Sequence, residues 1–219
     1  MDFNKIKIKA YIFIVLAAAL FVASAVPQVW AESAQSREYQ IKAAFLYNFI
    51  KFVDWPEKKV ADSNDTITIG IIGEDPFGDA LKPIKDKQIK GKKIVTKQFK
   101  GFEELKKSKT ELRQKNEILG KCHLLFICSS EKENLREIIN SVKDSSVLTV
   151  GNMKGFLEAG GVINFIMEQK KVHFEISVTA AEQAEFKIRS KLLRLAKEVV
   201  NEKTTSANNK EKPSQEAKN

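Results

Sequence analysis

The stretch over residues 160–178, GGVINFIMEQKKVHFEISV, constrains the fold more than any other part of the chain. Two apolar runs, 161–167 and 172–178, flank the polar tetrad Glu168-Gln169-Lys170-Lys171, the sequence form of an antiparallel hairpin with a four-residue loop. In the second run Val172, Phe174, Ile176 and Val178 alternate with His173, Glu175 and Ser177, so one face is expected buried and the other wet. The first run is apolar on both faces through Val162, Ile163, Phe165, Ile166 and Met167, as in a strand nearer the middle of a sheet. The hairpin must therefore close a sheet whose other strands come from earlier in the chain.

Those strands alternate with helices. Residues 39–53, YQIKAAFLYNFIKFV, predict a helix whose stripe is Ile41, Ala44, Phe45, Asn48, Phe49 and Phe52, stopped by Asp54-Trp55-Pro56. Residues 66–72, TITIGII, predict a strand, followed by Asp75 as N-cap and Pro76 opening a helix to about Leu81. Residues 92–99 predict an edge strand with a lysine face, and 102–117 a charged helix turning Leu105, Leu112 and Ile118 inward. The run 123–128, HLLFIC, is apolar on both sides and is expected to be central. Ser130 with Glu133 predicts a capping box for a helix to Val142, 147–150 a strand, and 153–158 a short helix. After the hairpin, Thr179 with Glu182 predicts a second capping box, Phe186 and Ile188 extended chain, and Ser190 the cap of a final helix burying Leu192, Leu195, Ala196 and Val199. This order implies a single α/β domain: a mostly parallel central sheet, helices on both faces and a C-terminal antiparallel hairpin strand.

The two ends read differently from the middle. Lys5, Lys7 and Lys9 precede an apolar run over 10–22 and the small-residue sites Ala23-Ser24-Ala25 and Val29-Trp30-Ala31, so 1–31 is expected to be a signal peptide cleaved after Ala25 or Ala31. The run is shorter than the roughly 20 apolar residues of a spanning helix, so no stable membrane insertion follows cleavage. Residues 201–219 lack the apolar groups to order themselves and are expected to form a disordered polar tail, leaving 35–200 as the folded domain.

The formal charge is +9, and residues 82–121, with fourteen Lys or Arg against Asp86, Glu103, Glu104, Glu111 and Glu117, account for all of it. Thirteen of the fourteen are Lys, and only Phe99 and Phe102 interleave, which makes a poor surface for stacking bases; nucleic acid is not an expected partner. The two cysteines, Cys122 and Cys128, stand roughly 20 Å apart if the chain between them is extended, so no disulfide joins them.

Catalytic patterns are missing: the sequence holds no GxSxG, P-loop or HExxH, and neither His123 nor His173 has a second histidine at metal-ligand spacing. Neither an enzyme, nor a metal site, nor a cofactor is expected. Asp54, Glu74 and Asp75 could pair as acid and base, but Asp54 sits at a helix stop and Asp75 has a capping role. A ligand would fit best beyond the carboxyl ends of the strands, where Gly73, Glu74, Asp75, Ser129, Ser130, Gly151 and Asn152 form the rim. The aromatic excess of 39–55 marks Tyr47, Phe52 and Trp55 as candidates for a partner surface.

Taken in register, YQIKAAFLYNFIKFVDWP, ITIGIIGEDPFGDAL, CHLLFI, VLTVGNMKGFLEAGGVINFIMEQKKVHFEISVTAA and KIRSKLLRLAKEV resemble the YfiR-like family of exported regulators over about 39–200. The resemblance implies a periplasmic α/β protein, often a homodimer, that restrains an inner-membrane diguanylate cyclase or related sensor kinase by binding its periplasmic domain. Family members are also linked to redox control through cysteines, a feature that carries over poorly to this chain, which has only Cys122 and Cys128 and no cysteine near Gly160-Gly161. The alternative expectation is a periplasmic small-ligand sensor or carrier that uses the loop rim.

Overall fold

The computed structural model describes residues 26–61, 65–107 and 117–201. Of the expected signal peptide, 1–31, residues 1–25 lie outside the described residues, and the polar tail lies outside them from residue 202 onward. The chain divides into two compact units, residues 1–39 and 40–219. Helix α1, Val26–Phe52, runs through the boundary, and the second unit holds the sheet. Among the described residues no helix is long and apolar enough to cross a membrane.

The chain continues as β1 (Val53–Asp54), α2 (Glu57–Ala61), β2 (Thr66–Ile72), β3 (Gln88–Ile89), β4 (Lys92–Phe99), α3 (Phe102–Lys107), β5 (Leu124–Ile127), α4 (Leu135–Val142) and β6 (Leu148–Gly151). The hairpin is β7 (Ile163–Glu168) and β8 (Lys171–Ser177), and α5 (Val178–Gln183), β9 (Lys187–Ile188), α6 (Ser190–Leu193) and β10 (Glu198–Val200) complete the fold. The eight-stranded sheet has the order β10-β8-β7-β6-β5-β2-β4-β3. Pairing is parallel except for β7 with β8 and β3 with β4. The expected α/β domain is therefore the one observed, with HLLFIC at its centre.

Strand alternation sorts the core into two layers. Leu125 and Ile127 join Ile72, Phe102 of α3 and the α4 residues Leu135, Ile138, Ile139 and Val142 on one face. On the other face α1 lays Phe45 and Phe49 over the hairpin: Phe49 stands 5.0 Å from the Phe174 ring centre and 5.5 Å from Phe165, and Phe45 5.3 Å from Phe174. The predicted stripe of α1 is shifted by about one position, because Ala43, Leu46, Phe49, Ile50 and even Lys42 are buried while Ile41 and Ala44 are exposed. The aliphatic stem of Lys42 fills the place an apolar residue would take, with Nζ 5.9 Å from the Phe165 ring centre.

Several local expectations are corrected. The hairpin loop is two residues, not four, because Glu168 pairs with Lys171 in register. Gln169 and Lys170 then carry left-handed φ of 48° and 63°, the form of the tight turn that favours Asn-Gly. Replacing Gln169-Lys170 by Asn-Gly is expected to stabilise the fold by roughly 1 kcal/mol, read as a rise in the urea midpoint at unchanged slope; an unchanged midpoint would count against this account of the turn.

Ser177, expected on the wet face, is buried and is the cap of α5, accepting from Ala180 N–H at 3.1 Å; Thr179 does not fill that role. Ser130 caps no helix by side chain either, since its hydroxyl accepts from Glu74 N–H at 3.0 Å across the loops. Asp75 Oδ1 accepts from Phe77 N–H at 2.8 Å and so starts only a short 3-10 turn, Gly78–Leu81. Residues 153–159 form turns rather than a helix, because Phe156 must fold back under Gly151 and Gly161, where a Cβ would lie 2.3 and 2.1 Å from its ring. The charged helix beginning at Phe102 is described to Lys107, Leu112 lies outside the described residues, and Ile118 is exposed rather than inward.

The last helix is also shorter than expected: α6 ends at Leu193 and buries Leu192, while Leu195 and Val199 are exposed. Glu198–Val200 instead adds a parallel strand beside β8. At the other edge β4 is covered by the two-residue β3, so it is next to last rather than the edge. Apart from the large sheet, β1 and β9 pair antiparallel as a small clasp, Val53 with Ile188 and Asp54 with Lys187. Arg189 grips Asp54 through Nε and Nη2 at 3.0 and 2.8 Å, and Lys90 adds a third bond at 2.8 Å. These hydrogen bonds hold the Asp54 carboxyl at about 2, so it stays ionised and carries no proton near neutrality.

Candidate functional site

Cavities open at both ends of the sheet, and they are built differently. At the carboxyl ends of the strands Gly73, Glu74, Ser129 and Ser130 do come together, but the loops bond to one another. Gly73 N–H donates to Phe99 O at 3.1 Å, Gln98 Nε2 to Gly73 O at 3.0 Å, and Glu131 Oε2 accepts from Phe102 N–H at 3.2 Å. Gly73, at φ 99°, has Ser130 Oγ only 2.4 Å from where a Cβ would be. The neighbouring Gly151 faces the Phe156 ring, and Asn152 follows it half-buried. A cavity of about 260 Å³ borders this end on the β4 side, lined by Asp75, Gly78, Lys82, Lys85 and Gln98 among others.

The roomier space lies at the opposite, amino end. A cavity of about 850 Å³ opens between the starts of β2, β5 and β6, lined by Thr66, Thr68, His123 and 144–146, with Lys58 and Lys59 of α2, Lys97 of β4, Lys121 and Glu185 around it. His123 forms its floor and is 6 % exposed. Its backbone N–H donates to Thr68 O at 2.9 Å, and its Nδ1 accepts from Thr68 N–H at 3.1 Å. The imidazole thus takes the place of a backbone carbonyl where the β5 ladder begins, and the ring proton must sit on Nε2. That Nε2 is buried and has no hydrogen-bond partner among the described residues. Burial, reinforced by the positive charges of Lys59 and Lys92, pushes the ring down to about 4, so it is neutral at physiological pH.

Trp55 and Lys59 brace this floor. The indole Nε1 donates to His123 O at 3.2 Å, and the ring meets Phe186 edge-on at 5.8 Å. Lys59 Nζ donates to the carbonyls of Gly120 and, at 2.8 Å, of Ser145, tying together the loops before β5 and β6. Neither role was visible in the sequence, where Trp55 stood as a partner-surface candidate at a helix stop and His123 only as the first residue of an apolar central strand.

The other partner-surface candidates stand apart from the cavity. Tyr47 is half-buried with Lys87 Nζ 5.3 Å from its ring centre, and half-buried Phe52 lies between Lys51 and Lys191, at 5.7 and 5.2 Å. The three aromatics therefore do not form one bare patch. Cys122 and Cys128 are buried and free at the two ends of β5. Burial lifts the Cys122 thiol to about 11, and burial with Asp75, Glu131 and Glu74 nearby lifts Cys128 to about 12, so neither supplies a thiolate near neutral pH. Among the described residues no three His, Cys, Asp or Glu gather as a metal ion would need.

Comparison with known proteins bears on the family rather than on the site. No curated protein matches the chain. A conserved domain protein from Vibrio cholerae O1 biovar El Tor is similar at 14 % identity and TM-score 0.46, covering 61 % of this chain and 54 % of that one. The ABC domain from Streptococcus pneumonia in complex with L-Trp is similar at 11 % identity and TM-score 0.45, covering 63 % and 56 %. The chain thus spans about half the length of these solved chains. The family model described as DUF4154, YfiR/HmsC-like, matches residues 39–197, which is α1 from Tyr39 through every strand except β10. The chain belongs to the YfiR/HmsC-like family.

Proposed function

We propose that the protein is an exported periplasmic regulator that restrains an inner-membrane diguanylate cyclase, or a related sensor kinase, by binding its periplasmic domain. The family match over 39–197 carries this reading. The mechanism is population shift: the regulator binds one conformation of the sensor region and lowers the share of active enzyme. A swing from 1:99 to 99:1 needs about 5.5 kcal/mol of differential affinity, within reach of a modest apolar patch ringed by charge.

Tyr47 and Phe52 are the side chains we assign to that contact. Each presents an aromatic face already approached by lysine ammonium groups, a combination suited to a partner surface with exposed carboxylates. Trp55 supports the neighbouring floor rather than offering a clean probe. Phe52→Glu is expected to leave the circular-dichroism spectrum and melting temperature of the regulator near those of the parent while cutting capture of the cyclase's periplasmic domain at least tenfold. Capture at parental affinity would exclude this face.

A further inference from the structure

We infer that His123 is an acid-operated switch: on taking a second proton its ring leaves Thr68 N–H and turns out into the amino-end cavity, where Asp144 and Glu185 supply carboxylates. The hydrogen bond that holds the ring is also what makes it sensitive to acid. Nδ1 accepts from Thr68 N–H at 3.1 Å, so Nε2 carries the one ring proton of the neutral form. A second proton can go only to Nδ1, where it would face Thr68 N–H donor against donor. The bond is lost and a repulsion takes its place. Nε2 gives no relief, because it is buried with no hydrogen-bond partner among the described residues. An imidazolium in this position therefore has no acceptor at either nitrogen.

Charge acts in the same direction. Lys59 of α2 and Lys92 of β4 both disfavour a positive ring where it now sits. The way out is the cavity of about 850 Å³, which His123 itself lines and in which Asp144 and Glu185, both exposed, stand among Lys58, Lys97 and Lys121. A turn of the side chain exchanges a site without acceptors for water and two carboxylates. The backbone does not have to follow. His123 N–H donates to Thr68 O at 2.9 Å and Trp55 Nε1 to His123 O at 3.2 Å, and neither bond involves the ring. The switch thus frees one backbone N–H at the start of the β2–β5 pairing and leaves the sheet intact. The Trp55 indole, 6.4 Å from the imidazole centre, stays beside the moving ring and reports on it.

Acid titration of the full chain in a Trp30→Phe background, followed by Trp55 fluorescence and by hydrogen exchange corrected for its intrinsic pH dependence, tests the switch. Between pH 7 and pH 4 a reversible step in Trp55 fluorescence is expected. Over the same range the Thr68 amide should lose about tenfold or more of its protection while the amides of β7 and β8 keep theirs. His123→Asn offers Thr68 N–H a side-chain acceptor that does not titrate, so both signals should be flat. Asp144→Asn combined with Glu185→Gln changes only exposed side chains and should move the midpoint of the step to lower pH, which keeps the test decisive if the His123 variant fails to fold. Flat signals in the parent, the same step in His123→Asn, a midpoint unmoved by the carboxylate pair, or loss of protection in β7 and β8 together with Thr68 would each overturn the switch.

Discussion

Phe49→Ala is expected to destabilise the protein by about 3–5 kcal/mol. Phe49 is fully buried, and its ring is met by three others: Phe45 at 6.1 Å, Phe165 at 5.5 Å and Phe174 at 5.0 Å. Truncation removes the transfer energy of a benzyl group and leaves a void that neither the helix nor the hairpin can close, since each is fixed by its own hydrogen bonds. The loss would be read from urea unfolding as a fall in midpoint with little change in slope. A double-mutant cycle with Phe174→Ala should recover about 0.5–1.5 kcal/mol of coupling, because the pair meets edge to face at 68°. A loss under about 1 kcal/mol for Phe49→Ala would mean that α1 is not held on the sheet as described.

The second large effect follows from pH. His123 is kept neutral by burial in the folded protein, with its ionisation pushed down from 6.5 to about 4. Above pH 6.5 the ring is neutral in both the folded and unfolded chains, and it contributes no pH dependence. Between 6.5 and about 4 the unfolded chain takes up a proton that the folded one refuses, so stability must fall as the solution is acidified through that window. The full loss is on the order of 3 kcal/mol and levels off below about 4, where the folded ring is protonated as well. Carboxylates add their own slope, so the measurement is a difference: the parent should lose this much more stability than His123→Asn between pH 7 and pH 4. Parallel stability curves would show that the imidazole is not held neutral.

What the sequence made visible was whatever depends on periodicity. TITIGII, HLLFIC and the 160–178 hairpin were placed because alternation and unbroken apolar runs are set by the chain itself. The caps were less visible, since Ser177, Thr179 and Ser130 are equivalent as residue types, and only the tertiary path decides which hydroxyl meets a helix N–H and which meets Glu74. The end of the chain was misjudged for a related reason. Leu192, Leu195 and Val199 have helical spacing, but the open side of β8 offers Glu198–Val200 a full row of backbone bonds, and pairing outweighs a weak helical preference.

The cavity was not visible at all. The rule that ligands sit beyond the carboxyl ends of parallel strands directed attention to Gly73, Ser130 and Asn152, where the loops turn out to bond to each other. The space at the other end depends on α2 and on residues far apart in sequence, Lys59 with Ser145 and Thr68 with His123, which no local pattern connects. The one available signal was a histidine opening an otherwise apolar central strand. A polar side chain there needs a partner, and asking for that partner leads to Thr68, whose N–H donates to Nδ1.

The small clasp between Val53–Asp54 and Lys187–Ile188 has a bearing on how the molecule assembles. Asp54 and Arg189 lie 135 positions apart along the chain, and bringing such distant points together in an unstructured polymer costs on the order of 4 kcal/mol in closure entropy. A four-residue ladder and one ion cluster cannot supply that alone. The clasp therefore forms only after the intervening sheet has shortened the path, which makes it the closing event of folding and the first junction to open when the protein is warmed.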